Sequence, residues 1–246
     1  MQLVLDLGNT LQKWGIFDRN QLISMGKEEQ MDYDFVVNLI STYQVTSCII
    51  SSVIEAPQLD IAYLSTQLRT IYLDHSTPIP IKNSYGNPDG LGKDRLACAV
   101  AIASLSQGIP CLSIDMGTAL KFDFVNQDLE YIGGSIAPGL KMRFKALHTF
   151  TAKLPLIDFQ NHHPLIGNTT EKSLLSGVIN GMIAEINGMI DMYLDQFPKL
   201  NIYLTGGDLL HFENKLKSDT FAVPNLVLKG LNEILLFNEQ QTSQPH

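Results

Sequence analysis

The chain has 246 residues, with 17 Lys and Arg against 25 Asp and Glu, a formal charge of -8, and 45% hydrophobic against 17% charged residues. A chain of this length folds as one large or two modest domains and buries roughly 70–75% of its unfolded surface, so it needs no staples. The acidic balance and the lack of a Lys/Arg run oppose a sequence-independent grip on nucleic acid, which depends on neutralising several phosphates. Small-molecule chemistry is the better starting point. Cys48, Cys98 and Cys111 have no C-x-x-C spacing and cannot all pair, which fits a reducing cytoplasm and suggests neither a disulfide framework nor a zinc knuckle. The opening MQLVLDLGNT carries an acidic residue at position 6 and no basic region or long apolar run, which argues against a signal peptide or membrane span.

In chain order, Gln2 to Leu7, Leu11 to Phe17 and Gln21 to Met25 read as three strands of a meander. Asp32 to Tyr43 has apolar residues at helical spacing, Cys48 to Val53 reads as a strand, Pro57 to Gln67 as a helix and Thr70 to Leu73 as a strand. An extended stretch from Pro78 to Tyr85 leads to the turn Asn87-Pro88-Asp89-Gly90 and a helix from about Lys93 to Ser106. At Cys111 the pattern restarts, with strands to Asp115, over Ala119 to Val125 and near Tyr131 to Ile136. A helix after Pro138, a polar connector through His162 and His163, and a long helix from Thr170 to Phe197 follow. Met and Ile between Met182 and Met192 give that helix a packing face, against the core or as a subunit contact. Ile202 to Thr205 is a strand ending in Gly206-Gly207-Asp208, a helix follows, Asn225 to Leu228 leads to a last helix around Leu231 to Phe237, and Gln240 to His246 is expected to be disordered.

One internal similarity stands out: LVLDLGNT at 3–10 and LSIDMGT at 112–118 share an apolar strand, Asp, an apolar residue, Gly and Thr, and each runs directly into another strand. A strand delivering Asp6 into Gly8-Asn9-Thr10 and then reversing gathers a carboxylate, backbone N–H groups and a hydroxyl. Glycine lets backbone approach phosphate closely, and a carboxylate can hold hydrated Mg²⁺. Lys13, three residues past Thr10, can reach a β- or γ-phosphate. The same types also make an ordinary turn. Asp115-Met116-Gly117-Thr118 repeats this chemistry, and Thr205-Gly206-Gly207-Asp208 puts two glycines where a strand meets a helix. Gly92-Lys93 is not a Walker motif: Asn87 stands where its first glycine belongs and Asp94 where Ser/Thr belongs. His162 and His163 have no ligand-spaced partners.

These loops resemble the sugar-kinase, Hsp70 and actin superfamily, in which two duplicated ribonuclease-H-like halves of an α/β fold close on ATP. DLGNTLQKWGIF, Tyr85, GLGKDRLACAVAI, DMGTA, GGSIAPGL, GNTTEKSLLSG and LTGGD occur in the order and spacing of type III pantothenate kinases, over about residues 3–208. GLGKDR and GGSIAPGL are the family-specific motifs; the first and fourth are shared across the superfamily.

The resemblance implies an N-terminal lobe over 1–109, a C-terminal lobe over 110–246, and transfer of the ATP γ-phosphoryl group to the terminal hydroxyl of pantothenate, the first step of coenzyme A biosynthesis. It implies an ATP loop of Asp6, Leu7, Gly8, Asn9, Thr10, Leu11, Gln12 and Lys13, with Asp6 holding Mg²⁺ through water and Thr118 a second ATP contact. Asp115 becomes the ligand of a monovalent cation, K⁺ or NH₄⁺. Gly92, Lys93, Asp94 and Arg95 form the pantothenate loop, Asp94 being the general base, with Tyr85 and Thr170 as further substrate contacts. A cytoplasmic homodimer without nucleic-acid or membrane partners is implied. A non-catalytic nucleotide-binding relative, and a superfamily kinase acting on a sugar or small acid, are the alternatives. The chain departs from the family in having Lys93 for a small residue and Lys121 for threonine. Strand alternation puts Lys121 and Asp123 on one face and Leu120, Phe122 and Phe124 on the other. Lys121 is then a surface lysine, a partner of Asp123, or a neighbour of Asp115 that partly replaces K⁺.

Overall fold

The structure is a computed structural model and describes residues 1–8, 11–54 and 61–242. The chain forms two compact units: Met1–Gln107, Leu129–Tyr131 and the chain from Asn225 onward in one, Gly108–Asp128 and Ile132–Pro224 in the other.

The first unit is built on a five-stranded sheet. Strands β1 (Gln2–Leu7), β2 (Gln12–Asp18) and β3 (Gln21–Glu28) form an antiparallel meander, and β4 (Ser47–Ser52) and β5 (Arg69–Tyr72) extend it in parallel on the other side of β1, giving the order β3-β2-β1-β4-β5. Leu3, Leu5, Leu7 and Ile50 meet Val36 and Leu39 of α1 (Tyr33–Tyr43) in one core. That helix begins where Asp32 accepts the Phe35 N–H at 2.9 Å. The described part of α2 is Ile61–Gln67; the expected start of this helix at Pro57 lies outside the described residues. After the short strand β6 (Lys82–Asn83), α3 (Lys93–Ser106) is buried along almost its whole length. Apolar small residues on every side make it a central helix rather than an amphipathic one.

In the second unit, β7 (Cys111–Met116) and β8 (Ala119–Val125) form a hairpin, β9 (Glu130–Pro138) lies beside β8, and β10 (Asn201–Thr205) and β11 (Phe221–Ala222) run parallel beyond β7. The order β9-β8-β7-β10-β11 thus matches that of the first sheet, strand for strand in chain order. Leu120, Phe122 and Phe124 lie in the core, as alternation requires. They pack with Leu140 and Phe144 of α4 (Leu140–Thr149) and with the continuous helical stretch of α5 (Thr170–Leu175), a π turn (Ser176–Asn180) and α6 (Gly181–Gln196). This stretch is long and apolar enough to cross a membrane by length and composition, but Leu175, Ile179, Met182, Ile186 and Ile190 are packed into the sheet core.

After α7 (Leu209–Phe212), the chain returns to the first unit as α8 (Leu226–Thr242). This differs from a second lobe running to residue 246. It also corrects two local expectations: the last helix starts at Leu226 rather than around Leu231, and Gln240, Gln241 and Thr242 are helical rather than disordered. Packing decides the first, since Leu226, Leu231, Ile234 and Leu235 are fully buried; Gln240 and Gln241 are exposed and continue the helix beyond that core. The expectation of disorder over 243–246 falls outside the described residues. Cys48, Cys98 and Cys111 are buried free thiols, and burial pushes the Cys48 thiol far above its usual range, where it is unreactive.

Candidate active site

Asp6 stands at the C-terminal end of β1, directly opposite Lys13 on β2 and beside Ser51 on β4. Opposed residues of an antiparallel pair share a face, so the carboxylate and the ammonium stem leave the sheet on the same side. A Cβ at Gly8 would lie 2.8 Å from the Leu11 carbonyl oxygen, so only glycine permits this close reversal. Other loop residues have structural roles. Leu7 is in the core, and the nearly buried Gln12 side chain accepts the Met31 N–H at 2.5 Å, holding the approach to α1. Leu11 is exposed. Asn9 and Thr10 lie outside the described residues.

The GKDR segment opens α3, with Gly92 as N-cap and Asp94 in the first turn. A Cβ at Gly92 would lie 2.6 Å from Asp94 Oδ1, so glycine leaves space for a carboxylate folded toward the helix start. Arg95 is 6% exposed; its guanidinium lies 5.5 Å from the Tyr85 ring centre, with Nη1 3.5 Å from the Tyr85 hydroxyl. Tyr85 stacks in turn on buried Tyr131 at 5.9 Å, brought beside it because β6 pairs with the start of β9. Lys93 points elsewhere: Nζ donates to the Ser52 carbonyl at 3.1 Å and sits 4.7 Å above the Tyr72 ring. Ser52 pairs with Leu7, so this lysine ties the start of α3 to the edge of the sheet where Asp6 emerges. A cavity of about 420 Å³ opens nearby, with Asp74, Asn83, Leu91 and Lys93 among its lining residues, a volume suited to a small ligand.

In the second unit, the loop after Asp115 is held by glycines from two later motifs. A Cβ at Gly139 would lie 2.4 Å from the Gly117 carbonyl oxygen and 2.3 Å from that of Thr118. Gly206, at φ +103°, packs on the Met116 backbone, where a Cβ would approach to 2.4 Å, and the Asp208 N–H donates to Met116 O at 2.9 Å. GGSIAPGL and LTGGD therefore accompany DMGT for a steric reason. Asp115 itself pairs with Lys121, Oδ2 to Nζ 2.8 Å, with the side chains 11% and 14% exposed. The expected monovalent cation does not fit this donor set, because the carboxylate meant to hold it already faces an ammonium. Thr170, the first residue of α5, is exposed. The preceding Thr169 caps that helix by accepting the Lys172 N–H at 3.2 Å.

Asp208 is half-buried in the same loop cluster. Burial pushes its carboxyl above 3.8, His211 and Lys141 draw it down, and Asp115 pushes it further up. The folded chain thus holds that proton more tightly than the unfolded chain, so ionisation costs stability as pH rises through the folded value. Asp208→Asn is expected to raise Tm at neutral pH, with the gain shrinking as pH falls from the folded value towards 3.8 and absent well below it, where the carboxyl is protonated in both states. A pH-independent change in Tm would contradict this origin.

Sequence reasoning passed over Tyr131, Tyr72 and Ser52, whose roles depend on pairing between distant strands. It noted Asp208 only as part of a glycine motif. Among the described residues, no group of three or more His, Cys, Asp or Glu is placed to hold a metal ion.

A family model described as type III pantothenate kinase matches residues 2–192. The chain belongs to the type III pantothenate kinase family. Among its relatives described as type III pantothenate kinase, that of Phocaeicola vulgatus is 42% identical over 241 residues, covering 98% of this chain and 100% of the relative. One from Bacteroides fragilis is 39% identical, covering 97% and 98%. The kinase is an ATP-dependent phosphotransferase that phosphorylates pantothenate for coenzyme A biosynthesis, and family membership selects this acceptor over sugars and other small acids. Solved structures agree on the fold. A conserved Baf family protein from Campylobacter jejuni superposes with TM-score 0.63 at 20% identity, covering 97% of this chain and 99% of that one. A ROK hexokinase from Thermus thermophilus gives 0.52 at 12%, covering 96% and 99%. The kinase shares the fold of these two solved structures.

Proposed function

We propose that Asp94 is the general base of pantothenate phosphorylation and that Arg95 and Tyr85 hold the acid. The observation that carries this is the arrangement at the start of α3: a carboxylate in the first turn, followed by a guanidinium held against a tyrosine stack. A carboxylate there is kept ionised by the helix dipole and is a weak base. Phosphoryl transfer tolerates a weak base because its transition state is largely dissociative. The pantothenate hydroxyl oxygen bonds to the γ-phosphorus as the bond to the ADP oxygen breaks, and the hydroxyl proton passes to Asp94. The Arg95 fork suits the substrate carboxylate. Gly92 gives Asp94 room, Lys93 anchors the loop, and Thr170 contacts substrate.

The two repeated loops receive the phosphates of ATP, the first through Asp6, Gly8, Asn9, Thr10, Leu11 and Lys13, the second through Thr118. Mg²⁺ fits the first loop: when bound to nucleotide it keeps several waters and needs only one or two carboxylates, which Asp6 supplies. Bound there, it neutralises charge on the transferring phosphoryl group. The test is an assay of purified protein with Mg·ATP against pantothenate and a panel of sugars, following ADP release. Turnover with pantothenate alone, lost in both Asp94→Asn and Asp6→Asn but with ATP binding weakened only in Asp6→Asn, is expected. Turnover unaffected by either substitution would overturn the assignment.

The same reading makes the kinase a cytoplasmic homodimer. Phe150, Leu165 and Ile166 are 86%, 80% and 84% exposed, and the last two lie just before Thr170. Adjacent apolar side chains as open as Leu165 and Ile166 are suited to a protein partner. Ile166→Glu is expected to convert a dimer to a monomer by light scattering and to lower activity with it. A fully active monomer would separate assembly from catalysis.

A further inference from the structure

We propose that the Lys121 ammonium occupies the place of a monovalent cation at Asp115, so that this kinase turns over without added K⁺. The proposal rests on the reading of the Asp115 loop as a phosphate-binding loop. Its basis is the hairpin: β7 and β8 pair Asp115 directly with Lys121, and such cross-strand neighbours stand on one face with Cβ atoms about 5 Å apart. The flanking Leu120 and Phe122 are fixed in the core on the opposite face, which prevents the strand from turning the lysine outward. The resulting ion pair is 2.8 Å long and largely shielded from water, so bulk salt screens it little.

An unpaired carboxylate beside this loop would repel an incoming polyphosphate at close range. A bound metal ion can cancel that charge, and so can an ammonium carried by the chain. Lys121 does so permanently, on a stem held by the strand, with no dependence on ion concentration. Asp208 also senses the Asp115 charge, so the carboxylate is not electrostatically isolated and its neutralisation reaches the neighbouring loop.

The test uses full-length kinase in tetramethylammonium buffer free of K⁺ and NH₄⁺, titrated with KCl at constant ionic strength. The wild-type rate is expected to change by less than about twofold, whereas Lys121→Ala, which opens the position, should lose about 10²-fold without K⁺. The Ala variant should recover saturably with K⁺ or NH₄⁺, and K⁺ should raise its Tm while leaving that of the wild type unchanged. Lys121→Met refills the space without charge and should respond in neither rate nor Tm, which separates charge replacement from packing. Wild-type activation by K⁺ of about tenfold or more would overturn the proposal, even if both variants failed to fold. A folded Ala variant insensitive to K⁺ in both rate and Tm would overturn it too. Asp115→Asn distinguishes the two levels of inference. If it retains wild-type rate and KM for ATP, the loop reading fails; if it is impaired while the wild type requires K⁺, only the role of Lys121 fails.

Discussion

Asp94→Asn is expected to lower kcat by about 10²–10⁴-fold, the usual contribution of a positioned general base, while leaving the KM for ATP near its wild-type value. The substitution keeps the shape of the side chain and its place in the first turn of α3, and Asn is tolerated near helix starts, so Tm should move little. The carboxamide still accepts a hydrogen bond from the pantothenate hydroxyl but cannot take its proton. Because proton removal is late in a dissociative transfer, the loss should shrink at alkaline pH, where hydroxide becomes a better acceptor. Steady-state kinetics against both substrates, with a single-turnover measurement of the chemical step, checks this. A wild-type rate in a folded variant would remove Asp94 from the chemistry and leave Arg95 and Tyr85 as a binding site without an assigned base.

Much of this arrangement was readable from residues alone, and the reasons are local. Strand ends marked by Asp-x-Gly located both loops, and the Gly92 to Ser106 segment revealed a helix whose first turn carries the charged pair. The partner of Lys121 was not decided by alternation, because it depends on the length of the hairpin loop. The observed register leaves Gly117, Thr118 and Ala119 between the paired ends, so Met116 faces Leu120 and Asp115 faces Lys121; a two-residue loop would have set Asp115 opposite Leu120. Lys93 shows the opposite case: the family resemblance puts it in a substrate loop, but its ammonium is taken by a carbonyl and a ring on β4 and β5, 41 and 21 residues away in sequence. Tyr131 becomes the support of Tyr85 only because a two-residue strand pairs with β9. The C-terminal helix was obscured because apolar Leu226-Val227-Leu228 has the composition of a strand, and burial against α3 selects helix over that local preference.

That same packing gives the last expectation. In an open helical position, replacing Gly by Ala stabilises a helix by about 1 kcal/mol, and Gly188 of α6, with nothing within 4 Å of an added Cβ, should follow this rule. Gly230 of α8 should reverse it. Its Cβ would lie 1.8 Å from the Ala97 carbonyl oxygen and 2.5 Å from the carbonyl carbon, and these are backbone atoms of α3 that no rotamer change can move. The two helices must separate, exposing space around Val100 and Ala101, which are buried in α3, and α3 carries Asp94 and Arg95 at its start. Gly230→Ala is therefore expected to destabilise the kinase by about 3 kcal/mol and, in whatever remains folded, to raise the KM for pantothenate more than that for ATP. Urea denaturation of Gly188→Ala and Gly230→Ala side by side measures the first effect, and initial rates measure the second. If both variants gain stability alike, α3 and α8 do not approach as closely as these distances require, and the glycine at 230 reflects helix composition rather than packing beneath the substrate loop.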